Sequence, residues 1–125
     1  MDYNIYTKPQ STYLKSNPGW HEEDSPWKAQ QIIKIIERNK IKFQTMADIG
    51  CGAGEILRQL RVRYPGEGYS FYGYEISQDA FSMAESKATE GLHFYNDDIE
   101  LKDSAHFDIL LMKLIPVLLA SRLMF

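Results

Sequence analysis

The sequence predicts an α/β fold with a mostly parallel, doubly wound sheet that is incomplete in its C-terminal half. First, short apolar runs alternate along the chain with segments in which apolar residues recur at helical spacing. Second, a turn with three glycines at alternate positions, 50–54, joins one such run to the helix that follows. Third, the run 107–112 has the apolar character of a strand buried in a parallel sheet. This alternation favours right-handed crossovers and helices on both faces of the sheet.

The N-terminal part is predicted to be an irregular arm followed by one helix and the first strand. Residues 1–24 are polar and rich in aromatic side chains, and proline and glycine interrupt them. Ser25 is predicted to cap the helix, with Pro26 at the first helical position. The apolar face of this helix is formed by Ala29, Ile32, Ile33 and Ile36. The run 45–49 is predicted to be the first strand, because it ends directly at the glycine-rich turn.

The rest of the sheet is predicted from two further helices and three further strands. The second helix spans about 54–63 and ends before Pro65-Gly66. Ser77 is predicted to cap the third helix, which runs to a stop at Gly91. The apolar face of that helix is Ala80, Phe81, Ala84 and Ala88. The second, third and fourth strands are predicted at 69–75, 92–95 and 107–112.

Length and composition indicate one domain with enough apolar residues for a core. The chain has 125 residues, of which 44% are hydrophobic, and its formal net charge is −3. Acidic and basic residues are interspersed, so the sequence shows no basic face for nucleic acid. We expect an N-terminal arm at 1–24, a core at 25–112 and an apolar tail at 113–125.

The sequence shows no sign of export or of a membrane span. Cys51 is the only cysteine, so no internal disulfide is possible. The N-terminus lacks the basic start and apolar run of a signal peptide. The apolar segment 109–125 is too short and too interrupted to span a membrane, which takes about 20 apolar residues. We therefore expect a cytoplasmic protein.

Acidic residues lie where each of the first three predicted strands ends. Asp48 precedes the glycine-rich turn, Glu75 ends the second strand, and the segment 96–99 (Asn-Asp-Asp-Ile) follows the third. The carboxyl ends of parallel strands meet at one edge of the sheet, where ligands bind. Glycines let a ligand approach the backbone, and the helix after the turn offers free N–H groups. Glu75 is placed to accept from ribose hydroxyls, an aspartate after the third strand from an exocyclic amine, and Asp48 could face an ammonium group.

On these residues the chain resembles the class I S-adenosylmethionine-dependent methyltransferases. Their first motif is an acidic residue, one further residue and Gly-x-Gly-x-Gly, which here is the segment 48–54. Their second motif is the acidic end of strand two, here Glu75. Their third is an acidic-hydrophobic pair after strand three, here either Asp98-Ile99 or Asp97-Asp98. The segment 21–29 is also similar to the helix that precedes the core in small bacterial methyltransferases, so the resemblance covers about 20–112.

The resemblance implies a Rossmann-like fold, S-adenosylmethionine as cofactor and methyl transfer to an O, N or C nucleophile of an unidentified acceptor. Asp48 and the glycines would hold the methionine part, Glu75 the ribose, and Asp98 with Ile99 the adenine. The cofactor-binding residues that it implies are Asp48, Gly50, Cys51, Gly52, Gly54, Glu75, Ile76, Asp97, Asp98 and Ile99. It assigns no catalytic base.

Two functions of other classes stay open. One is an NAD-dependent reductase, whose fingerprint is Gly-x-Gly-x-x-Gly; that frame places Glu55 at the third glycine, where its carboxylate would repel a pyrophosphate. Glu75 would likewise repel the 2′-phosphate of NADP. The other is a catalytically inactive protein of methyltransferase type that binds the cofactor, or acts by association.

Other residues with reactive side chains are given structural interpretations. Cys51 fits the turn as a small residue rather than as a nucleophile. His21 is a surface histidine by default, with a general base as the alternative. His93 and His106 lie in or beside strands and are expected to be structural. No Cys/His cluster has the spacing of a metal site.

The chain departs from the family pattern after the fourth strand. The Asp-x-x-Glu-His motif that is common there is absent, and the apolar segment 113–125 follows instead. We expect the chain to be a truncated or frame-shifted form whose last residues are not family sequence. The first and fourth strands would be neighbours, and the fourth would be a sheet edge if the remaining strands of the family fold are absent. That edge or the apolar tail could drive self-association.

Overall fold

A computed structural model of the protein describes residues 24–99 and 106–112. The arm before residue 24, including His21, and the tail 113–125 lie outside the described residues. The helices are α1 (Ser25–Arg38), α2 (Glu55–Arg63) and α3 (Gln78–Glu85). The strands are β1 (Thr45–Ile49), β2 (Ser70–Tyr74), β3 (Leu92–Tyr95) and β4 (Ile109–Met112).

The four strands form one parallel sheet in the order β3-β2-β1-β4. Chain order and sheet order differ only at β4, which pairs with β1 on the side opposite β2. The predicted α/β class with a parallel Rossmann-like sheet is confirmed, as is the neighbourhood of the first and fourth strands. Within the described residues β3 and β4 are the two edges of the sheet.

One face of the sheet carries the core. Helix α1 packs mainly against α2, while α2 and α3 lie over β2 and β3. Buried apolar residues from each of the three helices join a single apolar cluster with alternate residues of the strands. The strand residues in this cluster are Met46, Phe71, Leu92, Phe94, Ile109 and Leu111.

The second face of the sheet is aromatic. Tyr72 stacks on His93 with ring centroids 5.3 Å apart, and Tyr74 stacks on Tyr95 at 5.2 Å. Phe107, just before β4, lies against both tyrosines of β2. The described helices all pack on the opposite face, so among the described residues no helix covers this one.

The boundaries of two helices differ from the prediction. Ser25 is the first residue of α1 rather than its cap, which is Asp24, so Pro26 takes the second helical position. Proline is tolerated anywhere in the first turn because the N–H it lacks has no partner there. Helix α3 does have Ser77 as its cap but ends at Glu85, so Ala88 lies outside it. Tight turn hydrogen bonds at 84–88 close the helix early, and Gly91 (φ +79°) belongs to the turn into β3.

Two strands are shorter than predicted: β2 covers 70–74, and β4 begins at Ile109 rather than at 107. The carboxylate of Asp108 accepts the N–H groups of Gln44 (2.8 Å) and Thr45 (3.2 Å), and the Asp108 N–H donates to Thr45 Oγ1 (3.0 Å). Asp108 therefore anchors the start of β1 instead of extending the β4 ladder. No described helix is long and apolar enough to cross a membrane.

Candidate functional site

The glycine loop, residues 50–54, leaves the carboxyl end of β1 in a left-handed backbone conformation. Gly50, Gly52 and Gly54 have φ values of +76°, +59° and +84°. The N–H groups of Gly50 and Cys51 both donate to the carbonyl oxygen of Tyr74, at 2.8 and 3.1 Å. Residues other than glycine rarely adopt these φ values, so the path of the loop requires glycine at its alternate positions.

The glycines differ in what surrounds them. A Cβ on Gly54 would lie 2.7 Å from ring carbons of Phe94, and one on Gly73 of β2 would lie 2.6 Å from the same ring. These two glycines allow close packing of the loop, β2 and β3. A Cβ on Gly50 would meet no atom of the described residues within 4 Å. The open space beside Gly50 is where a ligand could approach the backbone of the loop.

Glu75 connects the glycine loop to the start of α3. It is 5% exposed, and its two carboxylate oxygens accept one backbone N–H each, from Gly52 at 2.8 Å and from Ser77 at 2.9 Å. A carboxylate has about four acceptor positions, so both oxygens keep capacity for hydroxyl donors. The structure thus brings Glu75 and the loop together, as the sequence predicts for residues of one site.

The residues after β3 join the same edge of the sheet. The side-chain amide of Asn96 donates to the carbonyl oxygens of Glu75 (2.8 Å) and Ile76 (3.3 Å), which ties the end of β3 to the end of β2. The carboxylates of Asp97 and Asp98 are exposed and accept the N–H of the next residue in each case, at 2.8 and 2.9 Å. Ile99 and Ile76 are half-buried.

Asp48 and Cys51 lie deeper. Asp48 is 3% exposed and stands in β1 opposite Gly73 of β2 and Leu111 of β4. Cys51 is buried, and its thiol donates to the carbonyl oxygen of Gly52 at 3.6 Å. This arrangement suits a small residue that fills the turn. Within the described ranges, no group of three or more His, Cys, Asp or Glu residues could hold a metal ion.

Glu55 opens α2 at the position that a third glycine would take in a dinucleotide fingerprint. Its carboxylate pairs with Arg58 (2.5 and 2.7 Å) and accepts from Gln59 (2.9 Å). The hydrogen bond from Arg58 is the main cause that lowers the pKa of Glu55, and burial opposes it. Glu55 therefore stays ionised at the N-terminus of the helix, where negative charge is favourable.

Sequence reasoning missed two contributors to this site. Asn96 was seen only as part of the acidic segment, although its amide joins two strand ends. Lys87, beyond the end of α3, donates to the carbonyl oxygen of Ala53 at 2.7 Å. A lysine between a helix and a strand carries no sequence signal for such a contact, whereas asparagine at a strand end is a recognisable turn residue.

Comparison with known proteins gives one family. A family model described as a methyltransferase domain matches residues 42–122, which is more than half of the chain. The match includes part of the segment 113–125, whose separation from the core stays a prediction. A search of curated proteins found no significant match.

Solved structures share the fold. The plantazolicin methyltransferase BpumL in complex with SAH superposes with a TM-score of 0.64 at 22% identity, over 87% of this chain and 43% of that one. DesVI from Streptomyces venezuelae superposes with a TM-score of 0.54 at 17% identity, over 94% of this chain and 45% of that one. The chain thus spans less than half the length of these structures, and the likeness shows the fold. Together with the family model, which carries the assignment, these observations show that the chain belongs to the methyltransferase domain family.

Proposed function

We propose that this protein is an S-adenosylmethionine-dependent methyltransferase and that the described residues hold the cofactor. The observation that carries the proposal is the space that the described residues leave open beside Gly50, in a left-handed loop whose Gly52 N–H donates to the Glu75 carboxylate. Membership of the methyltransferase domain family supports it, as do the BpumL structures in complex with SAH (S-adenosylhomocysteine). The acceptor stays unassigned.

Each part of the site suits one part of the cofactor. The glycine loop would lie against the methionine part, with Asp48 toward its ammonium group. Glu75, with spare acceptor capacity on both oxygens, would bind the ribose hydroxyls. Asp97 or Asp98 would accept from the adenine amine, beside the half-buried Ile76 and Ile99.

When bound, S-adenosylmethionine supplies a methyl group activated by its sulfonium charge. The residues of this chain would contribute orientation: catalysis of such a transfer depends on holding donor and acceptor about 3 Å apart and aligned. A base is needed only where the acceptor must lose a proton. The acceptor pocket is expected to involve residues outside the described ranges.

Denaturant unfolding of the purified chain tests the proposal, with SAH, S-adenosylmethionine and NAD added in separate series. A ligand present at about 100 times its Kd and specific for the folded state adds about 2.7 kcal/mol to the free energy of unfolding. We expect this increase with the first two ligands and none with NAD. An increase with NAD alone would favour the reductase, and no increase with any ligand would contradict cofactor binding. Cofactor binding without turnover on any acceptor would favour the inactive protein.

We also propose a cytoplasmic location and self-association through the β4 edge. The location is supported by the free, buried thiol of Cys51, the only cysteine of the sequence, because a reducing compartment keeps thiols free. The edge is supported by β4 pairing only with β1 among the described strands, because unpaired backbone groups of an edge invite another chain. Cell fractionation and sedimentation over a range of concentrations test the two statements separately.

A further inference from the structure

We propose that Lys87 is a positioning residue of the cofactor site, which holds the glycine loop in its binding conformation. This inference rests on the proposed function. The Lys87 ammonium donates to the carbonyl oxygen of Ala53 at 2.7 Å, and the two residues are 34 positions apart in sequence. Lys87 itself is half-buried and follows the end of α3, so the contact joins α3 to the loop.

The contact fixes one peptide group at both ends. The N–H of Gly54 donates to the carbonyl oxygen of Cys51 at 3.1 Å, while the carbonyl of the same Ala53–Gly54 peptide accepts from Lys87. Rotating this peptide would break both hydrogen bonds. Because Gly54 is the left-handed cap of α2, the orientation of this peptide also sets how the loop enters the helix.

The Ala53 carbonyl requires a donor from elsewhere in the fold. The first bond of the α2 ladder goes to the carbonyl of Gly54, from the N–H of Arg58 at 3.0 Å. The Ala53 carbonyl precedes that bond, and Ala53 is 2% exposed. Buried carbonyl groups are nearly always paired. Lys87 supplies the donor as a charge-assisted hydrogen bond, which is stronger than a neutral one.

The charge of Lys87 is unfavourable where it lies, beside the N-terminus of α2. A cation near the N-terminus of a helix opposes the helix dipole. Glu55 offsets this: after the dominant hydrogen bond from Arg58, the charge of Lys87 also contributes to lowering the pKa of Glu55. A lysine at this position, with a carboxylate to balance its charge, fits a need to fix the loop beside the cofactor space.

The test compares Lys87→Met and Lys87→Arg with wild type and with Lys34→Met, which removes an exposed lysine of α1. SAH affinity is measured by calorimetry well below the unfolding temperature, and amide exchange of Gly54 is followed without ligand. We expect Lys87→Met to weaken SAH binding about tenfold, or ~1.4 kcal/mol, and to speed Gly54 exchange. Lys87→Arg, which keeps a charged donor, should recover most of the affinity, and Lys34→Met should match wild type.

Three results would overturn the inference. Wild-type affinity in Lys87→Met, even with a lowered unfolding temperature, would make Lys87 a structural contact only. Failure of Lys87→Arg to bind better than Lys87→Met would exclude the donor role. Wild type that does not bind SAH would remove the proposed function as well, which separates the two failures. If Lys87→Met does not fold, Lys87→Gln, with a neutral donor, takes its place in the same comparison.

Discussion

A Cβ on Gly50 or on Gly68 would meet no described atom within 4 Å, but of these two glycines only Gly50 has a left-handed backbone. We predict that Gly50→Ala costs about 1–2 kcal/mol of stability from backbone strain and also weakens SAH binding, because the added methyl group enters the cofactor space. Gly68→Ala is the matched control and should change neither quantity appreciably. Urea unfolding and calorimetry with SAH measure the two effects. Unchanged SAH affinity in a folded Gly50→Ala variant would remove Gly50 from the site.

Glu75 connects the glycine loop to the start of α3 through hydrogen bonds from two backbone N–H groups. Glu75→Gln replaces one accepting oxygen by an NH2 group, which then faces a backbone N–H of Gly52 or Ser77. Because an unsatisfied buried donor costs about 1–3 kcal/mol, we predict a loss of stability of that size together with loss of SAH binding. Glu90→Gln, an exposed carboxylate elsewhere, is the control. The prediction fails if Glu75→Gln unfolds at the same urea concentration as wild type.

At the scale of residues, the sequence predicted which residues of the site lie together but not which hydrogen bonds they make. Acidic ends of parallel strands must converge, so Glu75 and the glycine loop could be placed together from motif spacing alone. The contacts of Asn96 and Lys87 could not be predicted from motif spacing, because they depend on the length of the turn after each element. Those lengths follow from packing, which local patterns do not encode.

At the scale of elements, the N-cap of α3 at Ser77 could be predicted because a serine hydroxyl can accept a backbone N–H of the first helical turn. The Ser77 hydroxyl accepts the N–H of Ala80 at 3.3 Å, so it caps α3 as the sequence indicated. We predict that Ser77→Ala costs about 1 kcal/mol, and that Ser77→Gly costs less than that. Thermal unfolding of both variants gives the comparison. Equal stability of Ser77→Ala and wild type would show that the capping bond contributes nothing.

Asp108 makes stability depend on pH through the start of β1. Backbone hydrogen bonds from Gln44, and then from Thr45, hold the pKa of Asp108 below its usual value. A carboxylate with a depressed folded-state pKa stabilises the fold above the unfolded-state pKa of about 3.9, and that contribution is lost as pH falls through the folded value. We predict that Asp108→Asn is less stable than wild type at pH 7 and that the difference disappears in acid. A difference that persists at low pH would assign it to geometry rather than to charge.

The predicted element ranges failed where a side chain bonds to the backbone. The ranges of β1 and β3 were predicted correctly: Gly50 follows β1, and Gly91 and Asn96 flank β3. The start of β4 was predicted too early because the predicted run 107–112 includes Asp108. In the fold the carboxylate of Asp108 instead accepts backbone N–H groups at the start of β1, 63 and 64 positions away in sequence. Helix α3 was predicted too long because glycine commonly ends a helix, whereas Gly91 lies in the turn into β3, after the helix has ended at Glu85.

At the scale of the whole molecule, alternation of elements was enough to predict the parallel sheet, and the resemblance to the family gave the place of β4 beside β1. Alternation was not enough to predict that the described helices would all pack on one face. Right-handed crossovers put α2 and α3 on the same face because β1, β2 and β3 follow one another in one direction across the sheet. The step from β3 to β4 runs in the opposite direction across the sheet.

Phe94 and Tyr95 are neighbours in β3 that test this layer arrangement. Phe94 is 9% exposed and belongs to the core, while Tyr95 is 43% exposed on the aromatic face. We predict that Phe94→Ala costs about 3–5 kcal/mol, because it removes a ring packed against the glycine loop and β2. Tyr95→Ala should cost about 1 kcal/mol, mainly its stacking on Tyr74.

Urea unfolding of the two variants gives both values under one set of conditions. A small cost for Tyr95→Ala means that the aromatic face adds little to the stability of this chain, so the core under α1, α2 and α3 carries the fold. A cost as large as that of Phe94→Ala would mean instead that residues outside the described ranges cover the aromatic face tightly. In that case the sheet would be covered on both faces, as a doubly wound fold requires.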